Sequence, residues 1–146
     1  HADLAKAVGK IQSQSTSNPT TPSQWASVEA LMGSQVPVDE MRVAFTKRKK
    51  LMVDTLNGLP DVTCLDPEGA FYAFPNVSAH FNKQCKSGVI TGSVDFCKYL
   101  LEEALVACVP GAGFGSNDYI RLSYSMSEED IAKGLKRIHD WVAQLK

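Results

Sequence analysis

One arginine lies in the middle of an otherwise apolar strand pattern, and it is the residue whose type and position most suggest binding chemistry. Arg121 lies between Ile120 and Leu122, and a strand alternates its side chains, so Arg121 shares a face with Tyr119 and Ser123. A guanidinium offers a planar fork of donors that matches a carboxylate with two parallel hydrogen bonds. An exposed or ion-paired arginine fits the same spacing and is the commoner case. The pattern alone therefore leaves both interpretations open.

Three ordered stretches add a resemblance to a known family. They are residues 12–19 (QSQSTSNP), residues 68–72 (EGAFY), and the segment VPGAGFG at 109–115 followed by YIRLSYSMS at 119–127. Together they resemble the class I aminotransferases, the pyridoxal-phosphate enzymes of the aspartate aminotransferase family, in the bacterial branch. The resemblance implies that Arg121 binds the α-carboxylate of the substrate amino acid.

The same resemblance implies an activity and a fold. It implies a transaminase, first of all an aspartate aminotransferase, that moves an amino group between an amino acid and a 2-oxo acid with pyridoxal 5′-phosphate. The implied fold is α/β, the small C-terminal domain of a fold-type I enzyme with a short, mostly antiparallel sheet packed by helices. Residues 1–33 are expected to be the end of the large cofactor domain, and residues 34–146 the small domain.

A transaminase also needs a lysine that bonds the cofactor, a carboxylate at the pyridine nitrogen and donors for the phosphate. None of the eleven lysines lies in the Ser-x-x-Lys context followed by Gly-x-Arg that the family uses. The resemblance therefore implies that most of the cofactor domain lies upstream of this chain. We expect the chain alone to be inactive and to leave the cofactor unbound.

Two further site elements follow from the resemblance. The loop Ser15, Thr16, Ser17 and Asn18 is expected to approach the active site of the neighbouring subunit in a homodimer, although the residues themselves are equally typical of a solvent loop. The glycine-rich run 110–115 lacks the Gly-Lys-Ser/Thr ending of a phosphate loop and is interpreted as a tight turn. That turn is expected to carry Phe114 to the mouth of the site as a pocket-lining residue.

Hydrophobic periodicity predicts the elements that must position Arg121. Helices are predicted at 37–58, 93–104 and 127–145, the last capped by Ser127. Short strands are predicted at 62–65, 70–74 and 106–109 and around Arg121, with the first two paired as antiparallel neighbours. Residues 78–92 are predicted to be a loop with a short helical turn.

The first third of the chain reads as two helices and a loop. Helix patterns cover 2–11 and 22–33, the second with Thr21 as cap and Gly33 as stop, and the polar segment 13–20 is predicted to be a loop. We expect these helices to expose apolar side chains, which would cause self-association.

Composition excludes several classes of function. The chain of 146 residues is 44% hydrophobic and carries fifteen basic against sixteen acidic residues, so neither a nucleic-acid footprint nor a membrane-binding charge is present. No apolar run is long enough for a membrane span, and a cytoplasmic location is expected. The basic run 47–50 is interpreted as a solvated helix face.

Cysteine and histidine spacing gives no support to a metal site. Cys64, Cys97 and Cys108 have apolar neighbours and are expected to be buried free thiols, whereas Cys85 between polar residues is expected to be the exposed one. The three histidines lie far apart in the sequence.

One alternative from a different class of function remains. The chain could be a stand-alone, non-catalytic binding or scaffold domain built on the same fold. An upstream reading frame that encodes the cofactor lysine would decide between the two hypotheses.

Overall fold

The computed structural model describes all 146 residues and shows five α-helices and a three-stranded sheet. The chain divides into two compact units, His1–Glu40 and Met41–Lys146. The predicted α/β class with a short antiparallel sheet is confirmed. In chain order the elements are α1 Ala2–Ser15, α2 Thr21–Met32, α3 Val36–Asn57, β1 Tyr72–Ala73, α4 Ser93–Ala104, β2 Val109–Pro110, β3 Ile120–Ser123 and α5 Glu128–Val142.

The first unit contains α1, α2 and the start of α3, and two of its boundaries differ from the predictions. Helix α1 continues to Ser15, so the loop begins later than residue 13, and the Ser13 and Ser15 hydroxyls donate to carbonyls of the preceding turn at 2.9 and 2.7 Å. The cap of α2 is Thr20 and not Thr21. The Gln24 amide donates to the Pro19 carbonyl at 2.9 Å, which ties the chain just before this cap to the first turn.

Neither α1 nor α2 buries a residue. The apolar side chains predicted to be exposed are exposed, with Trp25 at 71% and Met32 at 82% of their full accessible surface. Helix α2 ends at Gly33 as predicted. No helix in the chain combines the length and apolarity that a membrane crossing requires.

The second unit holds the sheet, whose strand order is β1-β3-β2 with both pairings antiparallel. The predicted partnership of 62–65 with 70–74 is wrong, because β1 pairs with β3 instead. Only Thr63 makes a bridge, to Asn76. The neighbouring Cys64 backbone is held by the Asn57 side chain, which accepts from its N–H at 2.8 Å and donates to its carbonyl at 3.0 Å. The Asn57 side chain therefore supplies the hydrogen bonds of the Cys64 backbone that a paired strand would otherwise supply.

Strand β2 also differs from its prediction. The expected buried strand 106–109 is replaced by Val109–Pro110, with Val109 opposite Arg121 and exposed to solvent. Between α4 and β2 the chain first turns back on the helix, where the Leu105 N–H donates to the Leu101 carbonyl at 3.2 Å. The ladder therefore begins only at Val109.

The core of the second unit lies between the sheet and helices α3, α4 and α5. Its largest members include Leu56 on α3, Phe96 and Leu100 on α4, and Ile131 and Leu135 on α5. The apolar stripe of α5 is buried as predicted, but the helix ends at Val142, three residues short of the predicted 145. Ser127 caps it as predicted, accepting the Asp130 N–H at 3.1 Å.

The cysteines are all free, and two expectations about their burial are wrong, because Cys108 is only half-buried and Cys85 is not exposed. Cys85 is buried, because its short turn folds back through the bridge between Gln84 and Val89 and its thiol donates to the Gly88 carbonyl at 3.2 Å. Burial raises the pKa of the Cys85 thiol. The sulfurs of Cys97 and Cys108 lie 3.2 Å apart.

The basic run on α3 is only partly a solvated face. Lys50 is exposed and pairs with Asp54 at 2.8 Å. Lys49 is half-buried and donates to the Asp66 carboxylate at 2.9 Å and to the Pro67 carbonyl at 3.1 Å. Arg48 is also half-buried, with its Cζ 5.4 Å from the centre of the Phe45 ring. Lys49 therefore ties the helix to residues 66–67, whereas Arg48 contacts a ring of its own helix.

Candidate functional site

Arg121 lies on the central strand of the sheet, where the strand's alternation is fixed by burial. Ile120 and Leu122 are buried in the core, and Arg121 between them is half-buried on the opposite face. The neighbouring backbone is Val109 on β2, paired directly with Arg121. A side chain on a paired central strand has a better-defined position than one on a loop.

Two aromatic rings contact the Arg121 guanidinium. Its Cζ lies 4.5 Å from the centre of the Tyr72 ring and 4.8 Å from the centre of the Phe114 ring. Tyr72 belongs to β1, and Phe114 lies in the turn that follows β2, the strand on the other side of β3. The guanidinium makes no hydrogen bond or ion pair with any protein group.

More aromatic side chains contact these two rings. Phe74 stacks on Tyr119 with ring centres 5.0 Å apart and planes within 6° of parallel. It also meets Phe114 edge-on at 6.2 Å. Phe71 contacts Tyr72 at 4.5 Å. The Arg121 guanidinium thus projects among aromatic rings that are themselves packed.

The turn that carries Phe114 is a 3-10 helix, Gly111–Phe114, and its start is closely packed. The Gly111 N–H donates to the Tyr119 carbonyl at 2.8 Å, and a Cβ at Gly111 would lie 2.3 Å from the carbonyl oxygens of Ser116 and Tyr119. Only glycine fits this approach. The buried Ser93 hydroxyl accepts the Ala112 N–H at 3.1 Å, which anchors the turn to the beginning of α4.

The Arg121 guanidinium and its two rings are suited to bind a planar anion with two acceptor oxygens, such as a carboxylate. The guanidinium is a planar cation with donors along its edge, and the centres of two aromatic rings lie 4.5 and 4.8 Å from its carbon. Those donors are unclaimed by the protein. A carboxylate accepting two of them would complete the site.

The other sequence-predicted site residues lie in the first unit. Ser15 is the last residue of α1, Thr16 follows it as C-cap, and Ser17 and Asn18 continue into the connection to α2. All four are exposed. The hydroxyl of Thr16 donates to the Gln12 carbonyl at 2.7 Å, so this side chain closes the end of α1.

The sequence predicts no role for two residues that the structure singles out, Tyr72 and His80. Tyr72 was part of the EGAFY stretch without a role, although the alternation of 70–74 puts it on the face of Phe74. His80 is fully buried, with Nε2 3.1 Å from the Pro60 carbonyl and Nδ1 3.2 Å from the Lys83 ammonium. Burial, with a smaller contribution from Lys83, lowers the pKa of His80. No local sequence signal marks this histidine.

The hydrogen bonds and ion pairs of the lysines lie away from Arg121 and its two rings. No hydrogen bond, ion pair or cation–π contact joins a lysine to Arg121, Tyr72 or Phe114. The lysines with polar partners bond elsewhere, such as Lys49 to Asp66 and Lys136 to Asp140. No cluster of three or more histidine, cysteine or acidic side chains is placed to hold a metal ion.

Comparison with known proteins gives a consistent result. The sequence pattern of the family described as aminotransferase class I and II matches residues 1–138. The chain is 41% identical to an aspartate aminotransferase of Streptomyces avermitilis over 99% of its own length and 35% of that protein. It is 44% identical to an aspartate aminotransferase of Geobacillus stearothermophilus, covering 94% of this chain and 34% of that protein.

A solved structure agrees with these relatives. The crystal structure of the aspartate aminotransferase from Rhizobium meliloti superimposes with a TM-score of 0.86 at 42% identity, over 99% of this chain and 36% of that one. The chain therefore spans about a third of the length of the relatives that it matches.

Proposed function

The chain belongs to the aminotransferase class I and II family, and we propose that it is the C-terminal portion of an amino acid transaminase, with aspartate as the first candidate substrate. The reaction moves an amino group between an amino acid and a 2-oxo acid. The observation that carries the proposal is the Arg121 guanidinium, held between Tyr72 and Phe114 with no acceptor from the protein.

Arg121 has a role that suits both halves of such a reaction. The amino acid and the 2-oxo acid share a carboxylate next to the reacting carbon, whatever their side chains are. Two charge-assisted hydrogen bonds from one planar group would fix the position and the orientation of that carboxylate. Arg121 would therefore orient every substrate in the same way, and it would not select among side chains.

Pyridoxal 5′-phosphate supplies the electron sink of transamination when it is bound. None of the eleven lysines lies in the Ser-x-x-Lys context followed by Gly-x-Arg that the family uses to bond it. We assign the cofactor to a large domain of which residues 1–33 form the last part, and residues 34–146 to the small domain. The chain alone would then be inactive.

Association with a second copy belongs to the same proposal. In a homodimer, the exposed segment Ser15–Asn18 would reach the active site of the neighbouring subunit, and its polar side chains are accessible for that contact. The support is the exposure of these residues together with the family assignment.

A chimera tests the proposed function. The first two thirds of the Rhizobium meliloti enzyme would be joined to this chain at the homologous position, and transamination of aspartate with 2-oxoglutarate would be measured. We expect activity together with one bound cofactor per subunit by absorbance. A dimeric, cofactor-loaded chimera that transaminates no amino acid would contradict the proposal. In the matched control, the chain alone is treated with pyridoxal 5′-phosphate and then with borohydride. No single lysine should become labelled stoichiometrically with the reduced cofactor.

The scaffold hypothesis keeps one observation in its favour. The second unit has its own sheet and its own core, centred on residues such as Leu56, Phe96 and Ile120, as an independent domain would. The coding sequence upstream of residue 1 distinguishes the two functions. An in-frame Ser-x-x-Lys followed by Gly-x-Arg supports the transaminase, and a stop codon in its place supports the scaffold.

A further inference from the structure

We infer that Tyr72 and Phe114 are positioning residues that set the orientation of the Arg121 guanidinium, so that its N–H edge faces the incoming carboxylate. The inference rests on the proposed function for its purpose, but the orientation itself is a property of this chain. The two rings lie 4.5 and 4.8 Å from the guanidinium carbon.

Arg121 needs such a device because nothing else in the protein holds its charged end. An arginine side chain loses up to about 2 kcal/mol of rotamer freedom when it is fixed. In many sites a neighbouring carboxylate fixes it, but such a partner would also occupy the donors that a substrate needs. Arg121 has no such partner. Aromatic rings can restrain the group through its faces and leave the donors along its edge free.

The strand order places the rings on two sides of the arginine. Tyr72 lies on β1 across from Ser123, two residues beyond Arg121, and Phe114 follows β2, whose Val109 is paired with Arg121. A rotation about the Cδ–Nε bond moves the Nε–Hε vector and turns the plane of the guanidinium into the neighbouring rings. The ring on β1 and the ring in the turn after β2 therefore both oppose this rotation.

Each ring is itself supported. Tyr72 contacts the Phe71 ring at 4.5 Å, and Phe114 meets Phe74 edge-on at 6.2 Å. Phe74 in turn stacks on Tyr119. The turn that carries Phe114 is anchored by the hydrogen bond from the Ala112 N–H to Ser93. The arginine is thus held by rings whose own positions are set by packing.

Side-chain NMR of this chain tests the inference without any enzymatic activity. The order parameter of the Arg121 Nε–Hε vector is measured in the unmodified chain and in Tyr72→Leu, Phe114→Leu and Tyr72→Phe. We expect a value of about 0.8 in the unmodified chain and in Tyr72→Phe, and values below about 0.6 in the two leucine variants. Phe114 is 52% exposed, so its replacement leaves the core intact.

The matched control is Tyr99→Leu, which removes the tyrosine beneath Lys98 and leaves the rings of Arg121 in place. Its Arg121 order parameter should equal that of the unmodified chain. An Arg121 group that is already mobile in the unmodified chain, or one that stays rigid in both leucine variants, would overturn the inference. Loss of rigidity in Tyr72→Phe would also overturn it, because the ring face and not the hydroxyl is the proposed restraint.

Titration with succinate separates this inference from the proposed function. We expect succinate to shift the Arg121 signals, with an affinity about threefold to thirtyfold weaker in Tyr72→Leu, as the loss of one cation–π contact implies. An equal succinate affinity in Tyr72→Leu and the unmodified chain would count against positioning. A rigid Arg121 that succinate does not shift would contradict the carboxylate role and would leave the positioning by the rings standing.

Discussion

At the scale of single residues, Arg121 is half-buried on β3, and its guanidinium lies beside the rings of Tyr72 and Phe114. Alternation along 119–124 follows from strand geometry, and the burial of Ile120 and Leu122 agrees with it. The two rings beside Arg121 come from β1 and from the turn after β2, which are distant in sequence. No local pattern contains such contacts, because they depend on the strand order.

His80 gives a prediction on pH at this scale. Burial lowers the pKa of His80 in the folded chain. As the pH falls below about 6.5, this histidine therefore binds a proton in the unfolded chain before it does so in the folded chain. Above about pH 6.5 the titration of His80 does not affect the free energy of unfolding. As the pH falls from about 6.5 towards the lowered pKa, it lowers that free energy.

Urea unfolding at about pH 5 and pH 7.5 measures this effect. His80→Gln should reduce the loss of unfolding free energy between the two pH values, by about 1.4 kcal/mol for each unit of pKa difference that lies in this window. The control His139→Gln removes an exposed histidine in place of the buried one. An unchanged pH dependence in His80→Gln would show that His80 does not titrate as its burial requires.

At the scale of elements, the helices were predicted more accurately than the strands. Helices α3 and α4 carry their own periodic stripes and stops, so their bounds agree with the predictions to within one residue. Strands β1 and β2 have two residues each, too few for a period, and their partner β3 decides where they form. Segment 62–65 has the sequence pattern of a strand, but the backbone N–H and C=O of Cys64 bond to the Asn57 side chain and not to a neighbouring strand.

The turn Gly111–Phe114 after β2 gives a prediction on stability, and the same turn contains the control position. Gly111→Ala should lower the free energy of unfolding by about 2 kcal/mol, because its Cβ would lie 2.3 Å from two carbonyl oxygens. Gly113→Ala adds the same methyl where no atom lies within 4 Å. Denaturant unfolding compares the two variants, and equal stabilities would show that the turn does not pack as described.

The cap of α5 gives a second prediction for an element. Ser127→Ala removes the acceptor of the Asp130 N–H and should cost about 1 kcal/mol of unfolding free energy. Ser116→Ala is the control, because its hydroxyl bonds no protein group. Thermal unfolding should separate the two variants by a few degrees. If Ser127→Ala melts together with Ser116→Ala, the cap contributes nothing measurable.

At the scale of the whole molecule, the first unit carries apolar side chains that this chain leaves uncovered. Leu31 and Met32 on α2 are 79% and 82% exposed. Exposed apolar surface of this kind favours association. We predict self-association that sedimentation velocity detects as a rise of the sedimentation coefficient with concentration. Replacing both residues by lysine should reduce it, and a chain that stays monomeric at every concentration would contradict the prediction.

The central claim is that Arg121 binds the substrate α-carboxylate, and the chimera provides its most direct test. Arg121→Ala leaves that carboxylate unpaired in a partly desolvated site, a loss of about 2 to 5 kcal/mol. The ratio kcat/KM should fall by a factor of about thirty to several thousand, with partial recovery in Arg121→Lys.

The deciding measurement is kcat/KM of the Arg121→Ala chimera for one acidic and one neutral amino acid, with cofactor content checked by absorbance. The account predicts a similar loss for both substrates and an unchanged cofactor content, because the carboxylate is common to all substrates. Activity within a factor of about three of the unmodified chimera, or a loss confined to the acidic substrate, would contradict the assigned role of Arg121.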